Sequence, residues 1–178
     1  MNITISGKPG SGKSTVAKLL AERLGLVHRS SGDFMRAMAA ERGISVLALS
    51  AKAENDSGAI DRAIDEQTKL FDSASEGFVM DSRLGWYFVP CSTKVFLDVD
   101  LEVAAFRVFS ERRGIEIENI DLSATIDAME KRLDSESNRY SSYYGINWLD
   151  LDHYDLVIDT SLLDIDVVVD EIIAFVNS

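Results

Sequence analysis

Apolar residues recur along the chain at two different spacings, and the switching between them predicts its elements. Residues 3–6, 26–28, 78–81, 94–99 and 154–159 are short apolar runs that read as strands. Between them the spacing lengthens to three and four. Val16, Leu20 and Leu24 mark a helix closed by Gly25. Residues 30–43 start a second helix with Ser31 or Asp33 near its cap, and residues 45–53 form a third. After a turn cluster at 55–58, Ile60, Ala63, Ile64, Gln67, Leu70, Phe71 and Ala74 share one helical face. Asp61, Arg62, Asp65, Glu66 and Lys69 fall largely on the other. Pro90 breaks the segment after the third strand. Asp100 caps a helix carrying Leu101, Ala104, Ala105, Val108 and Phe109, which stops at Gly114. Residues 115–121 are polar and irregular. Leu122, Ile126, Met129 and Leu133 stripe a helix over 123–138, and residues 140–148 read as an aromatic turn. Ile165, Val168, Val169, Ile172, Ile173 and Val176 mark a closing helix.

Strand and helix thus alternate nearly throughout. That pattern predicts an α/β domain, a five-stranded parallel sheet with helices on both faces, spanning residues 1–178. Ligands of such sheets bind beyond the carboxyl ends of the strands. Four polar stretches should meet at that edge: the turn after the first strand, residues 30–36, residues 81–83, and whatever follows Val99.

Composition narrows the classes. Hydrophobic residues make up 46% and charged residues 27%, which suits a globular domain and excludes wholesale disorder. The net charge of −12 disfavours a nucleic-acid partner held through its phosphates, although a local basic pocket can still take a small phosphorylated ligand. Cys91 is the only cysteine, which excludes an intrachain disulfide and a multi-cysteine metal cluster. His28 and His153 are too few to argue for zinc. The first strand starts at once, with no basic segment followed by an apolar one and no run long enough to span a bilayer. The expectation is a cytoplasmic protein without a membrane partner, acting as a monomer or weak homodimer on small molecules.

The strongest chemical signal follows the first strand. Gly7, Gly12, Lys13 and Ser14 fit G-x-x-x-x-G-K-[ST], and the flanks supply the strand, turn and helix that the motif requires. Gly7, Gly10 and Gly12 let several N–H groups face one anion, with Ser11 and Thr15 beside them, and the helix adds its positive end. Lys13 can reach the β- and γ-phosphates, and Ser14 can hold Mg²⁺. Asp81, at the end of a buried strand, either caps a turn or holds Mg²⁺ through water. If Asp81 faces a nucleotide, Arg83 can face a second phosphate. Asp33 and Arg36 form either a surface ion pair worth ~0.3 kcal/mol or part of the site. Arg132, Glu136 and Arg139 share one helical face, either as a solvated ladder or as a lid that carries charge to a transferring phosphoryl group. Tyr143, Tyr144 and Trp148 read as core or hinge packing.

Taken together, these segments resemble the nucleoside monophosphate kinases of the P-loop kinase superfamily, and most of all the short cytidylate kinases. The resemblance covers essentially the whole chain. ITISGKPGSGKSTVAKLLAERLG is similar to the family's opening, and SSGDFMR to the S-G-D-x-x-R segment that begins its monophosphate-binding part. VMDSRLGW resembles V-x-[DE]-G-R, with Ser82 standing where the family usually has Gly. LDVDLEVAAFRV resembles the strand and helix before the lid, KRLDSESNRYSSYYGI the lid's arginine-rich helix, and YDLVIDTSLL the closing strand and turn. The resemblance implies a P-loop kinase fold with a monophosphate-binding helical segment at about 30–75 and a lid at about 114–146. It implies that Arg36 holds the acceptor phosphate with Ser31 and Asp33 nearby, that Asp81 serves the metal and Arg83 the acceptor, and that Arg107 lies against the ATP adenine.

The implied reaction transfers the γ-phosphoryl group of MgATP to a nucleoside monophosphate. The attacking phosphate oxygen is already anionic, so no general base is needed. Lys13, Arg132 and Arg139 neutralise developing charge. CMP or dCMP is the expected acceptor, its amino group meeting Asp33, Ser31 or Glu136. The rivals are an AMP kinase, a hydroxyl kinase of the shikimate or gluconate type with Asp33 as base, and a nucleotide-binding switch without turnover.

Overall fold

The computed structural model describes residues 1–53, 58–72, 76–110 and 121–178. Its centre is strand β1 (Asn2–Gly7), whose residues alternate between two environments. Ile3 and Ile5 are fully buried on one side. Thr4 and Ser6 point the other way: Thr4 Oγ1 shares a 2.9 Å hydrogen bond with Ser92 Oγ, and Ser6 Oγ donates to the Arg83 carbonyl at 3.0 Å. That alternation is the period-two geometry of a strand covered on both faces. The remaining strands are β2 (Val27–Ser30), β3 (Phe78–Asp81), β4 (Thr93–Asp98) and β5 (Leu156–Asp159). The sheet is five-stranded and parallel in the order β2-β3-β1-β4-β5. All five expected strands are present, within a residue or two of their expected ends.

Helices α1 (Lys13–Leu24) and α8 (Ile165–Val176) cover the face carrying Ile3, Ile5, Val79, Val95 and Leu97. The opposite face meets α5 (Gly85–Phe88) and α7 (Leu122–Tyr144) through Leu84, Phe96, Trp148, Leu133 and Tyr140. Helix α6 (Leu101–Ser110) packs on α7 through Ala104, Ala105 and Met129, and Asp100 caps it as expected, its carboxylate accepting from Glu102 and Val103 N–H. Helices α2 (Ser31–Glu41), α3 (Val46–Ala53) and α4 (Ala59–Asp72) form an arm with a small core of its own, centred on Met38, Leu49 and Ile60.

Three expectations are corrected, and one short helix is unforeseen. The cap of α2 is Ser30, whose hydroxyl accepts the Asp33 N–H at 3.2 Å, rather than Ser31 or Asp33. Helix α7 runs straight through Tyr140–Tyr144 to Gly145, so no aromatic turn begins at residue 140. Helical winding places Tyr140 and Tyr144 over Leu84 and Phe96, and that burial outweighs the modest helix propensity of Tyr and Ser. Pro90 is preceded by the unexpected short helix α5, which lays Trp86 against His153 at 4.4 Å between rings. Asp61 and Asp65, expected on a polar face, are only 5% and 7% exposed. The turn at residues 55–57, Ala74, the stop at Gly114 and the segment 115–120 lie outside the described residues, as do the side chains of Gln67, Leu70 and Phe71.

Candidate active site

The turn after β1 carries the glycine-rich motif to the carboxyl edge of the sheet. Gly7 has φ 155° and Gly10 has φ 78°. A Cβ on Gly7 would stand 2.5 Å from the Leu97 carbonyl oxygen, and one on Gly10 would stand 2.7 Å from Ala104 Cβ. Glycine is therefore what lets the loop pass between β4 and α6. The first turn of α1 follows directly, and no side chain caps it. Its first N–H groups, which lie within the loop, are the orphan donors of a helix N-terminus. Ser11 Oγ is buried in the same loop and has no hydrogen-bond partner among the described residues. An uncapped helix end beside an unpartnered buried hydroxyl suits a phosphate.

Lys13 forms an ion pair with Asp81, whose side chain is only 2% exposed at the end of β3. Burial, then repulsion from Arg83, lowers the Lys13 pKa, and the Glu136 carboxylate opposes that shift. Two residues beyond Asp81, Arg83 Nε lies 2.8 Å from Glu136 Oε2 on α7. Its guanidinium carbon is 5.2 Å from the ring centre of the fully buried Trp148. Arg132 Nε is 3.1 Å from the other oxygen, Glu136 Oε1. Burial pushes the Glu136 carboxyl up, but the two guanidiniums override it and hold it at about 2. Lys13, Asp81, Arg83, Arg132 and Glu136 are thus brought together from three parts of the chain.

Arg139 does not continue the Arg132–Glu136 ladder. Its Nε stands 3.3 Å from Asp61 Oδ2 on α4, and both side chains are buried. On the same seam, the Tyr144 hydroxyl bonds to Asp65 and the Tyr143 hydroxyl donates to the Ala53 carbonyl at 3.2 Å. The arm is therefore tied to the second half of α7. Burial raises the Asp65 pKa to about 6, against the lowering effect of the Tyr144 bond.

Ser31, Asp33 and Arg36 sit on the first turns of α2. Ser31 Oγ donates to the Asp81 carbonyl at 3.4 Å. Arg36 pairs with Asp33 at 2.5 Å, and both are more than half exposed. Arg107 lies on the opposite flank of the loop, donating to the carbonyls of Gly10 at 3.4 Å and Thr160 at 2.7 Å. Ser14 and Asp81 are hard oxygen donors, the kind that Mg²⁺ takes. No cluster of three His, Cys, Asp or Glu that could hold a metal exists among the described residues. The pair would hold a magnesium ion, which would supply charge neutralisation.

Sequence reasoning misses Lys8, Asp61 and Thr160. Lys8 pairs with Asp98 at 2.6 Å and lines a cleft of about 470 Å³ with Pro9, Val99, Leu101, Met129 and Leu133. Thr160 Oγ1 meets the carbonyls of Ser11 and Asp98 at 3.2 and 2.9 Å, which anchors the loop to β5. Only Lys8 had a visible signal, its place inside the motif.

The model of the cytidylate kinase-like family matches residues 2–162. The cytidylate kinase of Sulfurisphaera tokodaii is 36% identical over 179 residues, covering 99% of this chain and 96% of that protein. That of Methanocella arvoryzae is 39% identical over 164 residues, covering 92% and 90%. Among solved structures, a shikimate kinase from Bacteroides thetaiotaomicron superposes with a TM-score of 0.67 at 12% identity, covering 100% of this chain and 99% of its own, a likeness of fold alone.

Proposed function

The chain belongs to the cytidylate kinase-like family, and from that membership we propose that it transfers the γ-phosphoryl group of ATP to CMP or dCMP. The observation that carries the reading is the convergence of Lys13, Arg83 and Arg132 around two buried carboxylates at the sheet's carboxyl edge. A site that brings the triphosphate of ATP up to the phosphate of a monophosphate needs such a concentration of fixed cations, here on a protein of net charge −12.

The resemblance assigns the roles, and the positions of these residues at the sheet's carboxyl edge support them. The loop of Gly7, Gly10, Ser11 and Gly12, with the N–H groups of Lys13, Ser14 and Thr15, cradles the phosphates of ATP. Arg107, held between the loop and Thr160, borders the adenine. Arg36 and Arg83 fix the acceptor phosphate, with Ser31 and Asp33 nearby. An oxygen of that phosphate attacks the γ-phosphorus, the bond to the bridging oxygen of ADP breaks, and no proton has to move. Lys13 and Arg132 neutralise the charge that develops, and Arg139, held by Asp61 against the arm, would join them only if that pair opened. Mg²⁺, held by Ser14 and through water by Asp81, would supply further charge neutralisation. The arm, about residues 30–75, and the lid, about 114–146, exclude water that would otherwise hydrolyse ATP. The protein works on small nucleotides, not nucleic acid, in the cytoplasm and as a monomer or weak homodimer. No described helix is long and apolar enough to cross a membrane.

The test is ADP release with MgATP and a panel of AMP, CMP, dCMP, UMP, GMP and TMP, ranked by kcat/KM. CMP or dCMP should lead UMP by roughly tenfold to a hundredfold, because pairing the cytosine amino group leaves a buried acceptor unsatisfied when uracil enters. AMP in first place would overturn the base assignment. Stimulation by shikimate or gluconate but by no monophosphate would overturn the reaction.

A further inference from the structure

We propose that Glu136 is a positioning residue, a bracket that joins the acceptor arginine, Arg83, to the lid-helix arginine, Arg132, and aims both guanidinium forks. The inference rests on the kinase reading above and deepens it. Both arginines reach Glu136 through Nε, one on each carboxylate oxygen. Their Nη atoms make no other hydrogen bond among the described residues. Binding through Nε leaves the two-pronged end of each guanidinium for a phosphate. Trp148 beneath Arg83 fixes the plane of one fork.

Glu136 is poorly placed for anything else. Its side chain is 10% exposed and each oxygen already accepts from an arginine, which leaves it poorly disposed toward a cytosine amino group. Nor is the buried Arg83–Glu136 pair an efficient stability device, since an apolar replacement of similar volume is often neutral or better. What the triad does is geometric. Arg83 follows β3, on the acceptor side, and Arg132 sits one turn earlier than Glu136 on α7. One anion holds two cations that would otherwise repel each other. Lys13, in contact with Asp81, feels both arginines and Glu136. The bracket therefore sets the spacing between the acceptor phosphate and the transferring group, where a displacement near 1 Å can cost roughly 10²-fold in rate.

The experiment compares Glu136→Gln and Glu136→Asp with wild type, alone and combined with Arg83→Ala or Arg132→Ala. With CMP as acceptor, Glu136→Gln should raise KM and lower kcat, together roughly 10²-fold in kcat/KM, and Glu136→Asp should lose less. In the Arg132→Ala background the kcat loss should nearly vanish, and in the Arg83→Ala background the KM rise should nearly vanish. The ratio of CMP to UMP should stay at the wild-type value. A collapsed ratio would make Glu136 a base reader and overturn the bracket. Full additivity, or a lower Tm with unchanged kcat and KM, would also overturn it. A wild type without monophosphate-stimulated ADP release would instead sink the kinase reading. The bracket can then still be read from Trp148 emission in a Trp86→Phe background. Glu136→Gln should shift that emission as Arg83 leaves the indole, and an identical spectrum refutes the bracket whatever the activity.

Discussion

Lys13→Met tests whether one contact serves both the fold and the reaction. Met approximates the length of Lys and removes only the charge. In the folded protein that charge faces Asp81, whose side chain is 2% exposed while that of Lys13 is 14% exposed. Removing Lys13 strands a buried carboxylate, which typically costs about 3–5 kcal/mol. A domain of this size is stable by about 5–15 kcal/mol and loses about 2–4 °C in Tm per kcal/mol, so Tm should fall by about 6–20 °C. Asp81→Asn alone should cost less, because the more exposed lysine, its pKa already lowered by burial and by Arg83, can give up its proton. Combining the two changes should restore most of the lost stability, since no unpaired charge remains. Turnover should behave differently. It should drop at least ~10²–10³-fold in Lys13→Met and stay low in the double variant. Thermal unfolding and coupled ADP release measure the two effects separately. A Tm within 2 °C of wild type for Lys13→Met would refute the buried pair (about 1 kcal/mol at most), and restored turnover in the double variant would refute the catalytic role.

Arg139→Ala should destabilise the protein by a similar margin, about 3–5 kcal/mol, because its partner is the buried Asp61. Adding Asp61→Asn should recover most of that loss, and in Arg139→Ala kcat should fall more than ATP affinity does; unchanged kcat would assign Arg139 to the fold alone. Asp65→Asn should stabilise the protein near pH 8. A carboxyl whose folded pKa is raised to about 6 contributes fully below its unfolded value and loses that contribution as pH rises through 6. The Tm difference, variant minus wild type, should therefore grow from pH 4 to pH 7, and a flat difference would show that Asp65 is not held out of water. Gly10→Ala should cost about 2–5 kcal/mol, from left-handed strain plus overlap with Ala104. Gly12→Ala, at φ 81° but with nothing within 4 Å, should cost only about 1–2 kcal/mol; equal losses would remove the steric part of the argument.

Much of the fold is legible because local chemistry and tertiary packing agree. The compact runs around Ile3, Val79 and Phe96 are strands, and the residues that alternate within them divide between two helical layers. Asp100 caps α6 because a carboxylate before an apolar stripe meets its first N–H groups wherever the helix lies. Reading fails where packing decides against local preference. Tyr140–Tyr144 carries two serines and ends at a glycine, which looks like a turn until the sheet face bearing Phe96 is there to bury the tyrosines. Asp61 and Asp65 sit on the charged face of a strongly amphipathic α4, and nothing nearby in sequence announces that Arg139 and Tyr144 will cover them.

The same distinction explains the site. Gly7–Ser14 is readable because its residues act on one another, and spacing alone encodes their geometry. Arg83, Arg132 and Glu136 are readable only as candidates, since what defines them is a meeting across 53 positions of chain. A helix projection puts Arg132, Glu136 and Arg139 on one face and suggests one shared purpose. The fold splits them instead: Arg132 and Glu136 turn to Arg83, just beyond β3, while Arg139 turns to the arm. Helix α7 therefore touches both Arg83 and the arm through buried charge pairs. Movement of α7 must be felt at both contacts, because neither pair can separate without exposing a charge to a poorly hydrated interior. That is how an acidic protein can bring several cations to one edge without leaving them repelling each other: each is paired with a carboxylate.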